Sequence, residues 1–181
     1  MMDYQTAVRG AFFDIAGVAE TPDEVAAQAR YLDDGLLFLQ EGKIIALLPW
    51  QQGEAFLHPL KGYVDLRGKL LLPGFVDAHV HYPQTEMIGA FGEQLLEWLT
   101  TYTFPVESQF ADAEYAQEIA QFFVNQLISH GTTTALVFCT LHPASVEALF
   151  SEALRLNMRL IAMCRIICAK PPGRATSRPG R

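Results

Sequence analysis

Polar and apolar residues trade places along this chain with two different periods, and the change of period divides it. Residues 7–14 are apolar at strand spacing and predict a short strand. Thr21-Pro22 predicts a helix start, with Thr21 as N-cap and Pro22 at the first helical position, running to Arg30. Gly35–Leu48 is apolar on both sides of Glu41-Gly42 and predicts a hairpin that turns there. Tyr63–Leu72 has a strand–turn–strand pattern, and Pro73-Gly74 then punctuates the chain. Beyond it, strands and helices alternate. A buried strand ends at His81, and a helix is expected from about Glu93 to Thr101. A longer helix follows over 113–129, capped by Asp112 and closed by Gly131, with Tyr115, Ile119, Phe122, Phe123 and Leu127 on its inner face. Thr132–Thr140 is β-branched and apolar, hence a second buried strand. Pro143 opens a helix with Val146, Leu149, Phe150, Ala153 and Leu154 at core spacing, and Met158–Met163 is a third strand. Such alternation indicates βαβ units and a parallel sheet.

The strand ending at His81 carries the candidate chemistry. In Pro73-Gly-Phe-Val-Asp-Ala-His-Val-His81 the side-chain period of two puts Asp77, His79 and His81 on one face and Val76, Ala78 and Val80 on the other. Two strand residues span about 6.6 Å, from which two imidazoles can converge on one ion with bonds of about 2.0–2.1 Å. A His-x-His pair by itself is more often two half-exposed histidines. A polar strand face turned inward, however, costs free energy unless a metal or a hydrogen-bond network satisfies it.

Composition narrows the setting. The chain has 181 residues, half of them hydrophobic, enough to bury a core. No stretch is long and apolar enough for a membrane span, and the N-terminus lacks a signal-peptide pattern. Three cysteines, Cys139, Cys164 and Cys168, make no disulfide framework. A cytoplasmic location is the expectation. The net charge of −7 is uneven: residues 1–160 balance at −12 and residues 161–181 at +5. The acidic body argues against nucleic acid as a partner. The Pro-, Gly- and Arg-rich end, with no acid and no apolar period, reads as disordered.

The run Val64-Asp-Leu-Arg-Gly-Lys-Leu-Leu-Leu-Pro-Gly-Phe-Val-Asp-Ala-His-Val-His81 resembles the start of the barrel of the metal-dependent amidohydrolase superfamily. His81-Tyr-Pro-Gln84, Gly92-Glu-Gln-Leu-Leu-Glu-Trp-Leu99 and Thr103-Phe-Pro-Val-Glu107 are similar to its guanine deaminase branch, and the likeness runs from about Ala7 to Ala162. The resemblance implies a fold of class α/β. It would be an incomplete (β/α)8 TIM-type barrel of about three strands (71–162), preceded by part of a small β-sandwich (1–70) and followed by a basic tail (163–181). It implies zinc, with His79 and His81 as two of its ligands, guanine as the small-molecule substrate, and a full-length form compatible with a homodimer. By the same resemblance Gln84 contacts the guanine ring; on its residue type alone it reads first as a loop side chain bonding backbone. Trp98 is a candidate pocket wall and equally a core residue. His130, in the last turn of its helix, is expected to be structural, and His142 to belong to the start of the next helix. The family's remaining metal ligands and its proton-shuttling carboxylate lie on later strands, so no catalytic residue is assigned here. The resemblance ends inside the third strand, where the composition changes, and this reads as a frame-shifted or truncated continuation. The alternatives are another amidohydrolase acting on a cyclic amide or aminated heterocycle, and a non-catalytic fragment.

Overall fold

The computed structural model describes residues 2–92 and 94–164. They fall into two compact units that meet in sequence at Pro73 and Gly74. The expected tail lies, from residue 165 on, outside the described residues.

The first unit is built on one four-stranded sheet. Its elements are β1 (Thr6–Ile15), α1 (Pro22–Gln28), β2 (Ala29–Gln40), β3 (Lys43–Pro49), the single turn α2 (Trp50–Gly53) and β4 (Gly62–Leu71). The strand order is β3-β2-β1-β4. The first two pairings are antiparallel, and β1 runs parallel to β4. Thr21 caps α1 as expected, its hydroxyl accepting from the Glu24 N–H. The helix ends two residues early, because Ala29 and Arg30 join β2 opposite Ile15 and Asp14. The hairpin turns at Glu41 and Gly42, both with positive φ (51° and 73°). Consecutive positive φ values match the twist of the flanking strands, and glycine takes them without a steric penalty. In β4, residues 62–65 pair with 6–9 and residues 70–71 with 11–12. The intervening residues make an excursion that turns at Gly68 (φ 81°), so the strand–turn–strand pattern holds within one element. Tyr4, Ala7, Leu36 and Phe38 form the core, with Tyr4 meeting the Phe38 ring edge-to-face at 5.0 Å.

The second unit alternates strands and helices. It comprises β5 (Phe75–His81), a 3-10 stretch (Tyr82–Met87), α3 (Leu95–Trp98), a π-helical turn (Leu99–Thr103), α4 (Phe104–Ser108), a 3-10 turn (Gln109–Ala111), α5 (Ala113–Ser129), β6 (Thr132–Cys139), α6 (Pro143–Arg155) and β7 (Arg159–Cys164). The sheet order is β5-β6-β7, parallel throughout. Asp112 caps α5 by accepting from the Glu114 and Tyr115 N–H groups, and Gly131, at φ 86°, lets the chain turn directly into β6. Ala135, Val137 and Cys139 of β6 are buried together with Ala116, Ile119, Ala120, Phe123 and Val124 of α5 and Ala148, Leu149 and Ala153 of α6.

Four expectations need correction. The strand β5 is not buried: Val76 is 70% exposed, and β5 is an edge strand that pairs, among the described residues, only with β6. The helix expected over 93–101 continues to Ser108. A π-helical turn carries the chain past Thr100–Thr103, and Pro105 sits in the first turn of α4, where its missing N–H is not needed. On α5 the inward face is centred on Ala116, Ala120 and Val124, which leaves Phe122 53% exposed. On α6 small residues pack against α5 and the sheet, so the face is rotated: Leu154 is 79% exposed and Glu152 only 2%. The Glu152 carboxylate is compensated by Arg155, with contacts of 2.9 and 2.5 Å that hold its pKa below the usual carboxylate range.

Candidate metal-ligand pair and adjoining cleft

The parallel ladder between β5 and β6 puts His81 in register with Phe138 and is interrupted between Asp77 and Val80. Across that gap His79 and His81 turn to one face, and their Nε2 atoms lie 3.2 Å apart. Two nitrogens each about 2.0–2.1 Å from one ion at a tetrahedral angle would be separated by about this distance. The donor set therefore fits a zinc-type cation. Asp77 does not join them: its Oδ1 accepts the His79 backbone N–H at 3.0 Å and stiffens the strand at the break in the ladder. Among the described residues no cluster of three or more His, Cys, Asp or Glu could hold a metal.

Phe138 sits beneath both rings. It stacks on His81 at 4.7 Å with an interplanar angle of 12° and meets His79 at 4.6 Å and 42°. The chain reverses just after His81, and the reversal is pinned from below. Tyr82 is fully buried, its ring edge-to-face with Phe110 at 5.0 Å, and its hydroxyl donates to the Ala116 carbonyl at 2.5 Å. Burial pushes the Tyr82 phenol well above its ordinary pKa, so it remains a donor. Thr85 closes the 3-10 turn by donating to the Tyr82 carbonyl at 2.6 Å.

A cleft of about 730 Å³ opens here, lined by His79, His81, Gln84, Met87, Trp98 and Phe123, among others. All four residues singled out in the sequence thus border one space. One wall is the Met87–Ala90 turn, closed by the Ala90 N–H donating to the Met87 carbonyl at 3.0 Å, with Gly89 at φ 84°. Trp98 holds that wall: its Nε1–H donates to the Ala90 carbonyl at 3.0 Å, and its Cβ lies where a side chain on Gly92 would have to go, 2.7 Å away. His130 also lines the cleft, its Nδ1 within 2.8 Å of the Gln126 carbonyl. His142 is outside it, at the N-cap of α6, its backbone N–H donating to Thr140 Oγ1. Phe138 and Tyr82 were not singled out from the sequence. Phe138 is read there as one apolar strand residue among several, and only the pairing register reveals it as the neighbour of His81.

The second unit is thus a parallel β/α sheet with a pair of converging histidines at the end of one edge strand. The chain matches the amidohydrolase family over residues 70–169, and it belongs to that family. It is 51% identical to guanine deaminase of Escherichia coli K12 over 156 residues, which are 86% of this chain and 36% of that protein. The solved Escherichia coli guanine deaminase superposes with a TM-score of 0.82, covering 87% of this chain and 36% of the other. Guanine deaminase from C. acetobutylicum, solved with guanine in its active site, superposes at 0.71 with 26% identity, covering 87% and 35%. An adenosine deaminase from Xanthomonas campestris with bound zinc shares the fold at 17% identity and a TM-score of 0.62, covering 87% and 33%. The chain spans about a third of the length of these relatives, so the fold present is a portion of theirs.

Proposed function

We propose that this chain supplies the first metal ligands and a purine-reading side chain of a guanine deaminase, in which guanine and water give xanthine and ammonia. The observation that carries the reading is the 3.2 Å approach of the His79 and His81 Nε2 atoms at the mouth of the cleft that Gln84 also lines. His79 and His81 would hold one zinc ion. When bound, zinc would supply an acidified water and a positive charge beside the purine carbon that loses its amine. The chain's own residues then bind and orient. The Gln84 carboxamide offers a donor and an acceptor on one planar group, which suits the edge of a purine. Trp98 fixes the apolar wall opposite through its bond to the Ala90 carbonyl. The family relationship and the 51% identity to a guanine deaminase support guanine over other aminated heterocycles. The further ligands and the proton carrier would come from sequence corresponding to the rest of the relatives' length.

The test has two parts. Zinc titrated into the purified chain should bind at one site, and His79→Ala and His81→Ala should each remove it. A chimaera in which this chain replaces the matching third of the Escherichia coli enzyme should release ammonia from guanine. In that chimaera Gln84→Ala should raise KM, at a cost of about 1–3 kcal/mol for purine edges left unpaired. Full zinc occupancy in both histidine variants would refute the ligand assignment. Unaltered guanine kinetics after Gln84→Ala would refute its reading role.

A further inference from the structure

Phe138 touches both members of the histidine pair and lies on a different strand from either. Its ring is nearly parallel to that of His81 (12°) and tilted against that of His79 (42°), with centroids 4.7 and 4.6 Å away. The two imidazoles are themselves 5.1 Å apart, so the three rings form one closed cluster. This arrangement follows from the ladder: Phe138 pairs in register with His81, and β6 alternates Ala135, Val137 and Cys139 into the core with Thr134, Leu136 and Phe138 on the other face. An imidazole on a strand can rotate about two side-chain torsions. Here both rings rest on one aromatic surface, and their Nε2 edges are left facing each other.

We propose that Phe138 is a positioning residue for the metal, a shared aromatic floor that holds His79 and His81 in the ligating orientation before any cation arrives. This rests on the reading of His79 and His81 as the metal ligands. Two physical effects act in the same direction. Fixing both rings in advance removes part of the ordering cost of binding. An imidazole that donates its lone pair to a divalent cation also becomes electron-poor, and an electron-poor ring is attracted more strongly to the negative face of a phenyl group. The stack is therefore stronger in the metal-loaded state, and by linkage it raises metal affinity. Apolar volume without a ring would give neither effect in full.

The experiment compares the wild-type chain with Phe138→Tyr, Phe138→Leu, His79→Ala and His81→Ala. Zinc is titrated in competition with a chromophoric chelator, and imidazole C–H resonances are recorded without metal. Phe138→Tyr keeps the ring and should keep wild-type zinc affinity. Phe138→Leu keeps most of the apolar volume and should weaken zinc binding about tenfold or more, the usual scale for an outer support of a metal ligand. It should also abolish the upfield ring-current displacement of the His79 and His81 C–H signals while leaving the thermal unfolding midpoint near wild type. If Phe138→Leu binds zinc like wild type while the histidine variants lose it, the positioning role is overturned and the ligand assignment stands. If the histidine variants bind zinc as tightly as wild type, both are overturned.

Discussion

Three aspartates on the four-stranded sheet each face an arginine. Asp34 receives two hydrogen bonds from Arg9, at 2.8 and 2.6 Å, while the Arg9 guanidinium lies 3.4 Å from the centre of the Trp50 ring. Asp14 pairs with Arg30, and Asp65 with Arg67. In each case the arginine's side-chain hydrogen bond is the main reason that the carboxyl pKa is lowered, and for Asp65 it falls to about 2. A depressed carboxyl pKa adds stability that is fully present above the unfolded value of about 3.9 and disappears as pH falls through the folded value. The urea midpoint of the chain should therefore decline as pH drops from about 4 toward 2, and Asp65→Asn should flatten the low end of that decline. A variant whose midpoint tracks wild type down to that end would show that the pair is silent, which the exposure of these groups makes a real outcome. At this scale the histidine pair was legible in the sequence, because a period of two requires no partner strand. Phe138 was not, because its role depends on which residue of a neighbouring strand lies opposite it.

The helices and strands show how far pattern alone reaches. Helix α5 begins at its capping aspartate and ends before its glycine, as expected, because both signals are local chemistry of one or two residues. Of its expected inward face, Ile119 and Phe123 are buried and Tyr115 and Leu127 pack against the core, and only Phe122 turns out. Ala116, Ala120 and Val124 are weak hydrophobic signals, yet they are what allows α5 and α6 to approach closely, and the larger Phe122 is displaced outward. On α6 Glu152 is turned inward, where Arg155 pairs with it. The stretch 99–108 escaped the pattern because a π-helical turn shifts the phase of everything after it. Replacing Asp112 with alanine should lower chain stability by about 1 kcal/mol, since two N–H groups at the start of α5 lose their acceptor. Chemical denaturation measures this directly, and a loss below a few tenths of a kcal/mol would mean that water replaces the cap without penalty.

For the whole molecule the sequence conveyed an α/β chain with a parallel barrel segment, and it misjudged how much of that segment is covered. The strand bearing the histidines is, among the described residues, an edge strand of its sheet, and it reads as buried only when a neighbour on its far side is assumed. Its place in the order β5-β6-β7 has a temporal meaning as well. Only about twenty residues separate β6 from β7, whereas about fifty lie between β5 and β6. Closing the longer span costs more chain entropy, and parallel pairing offers no short cut through a hairpin. The β6-α6-β7 segment should consequently acquire amide protection first in pulse-labelled refolding, with β5 joining afterwards. Simultaneous protection of all three strands would contradict this order. On this order the strand that carries the histidine pair is the last part of its sheet to arrive, and a refolding chain would pass through a state in which the scaffold exists and the pair has yet to reach Phe138.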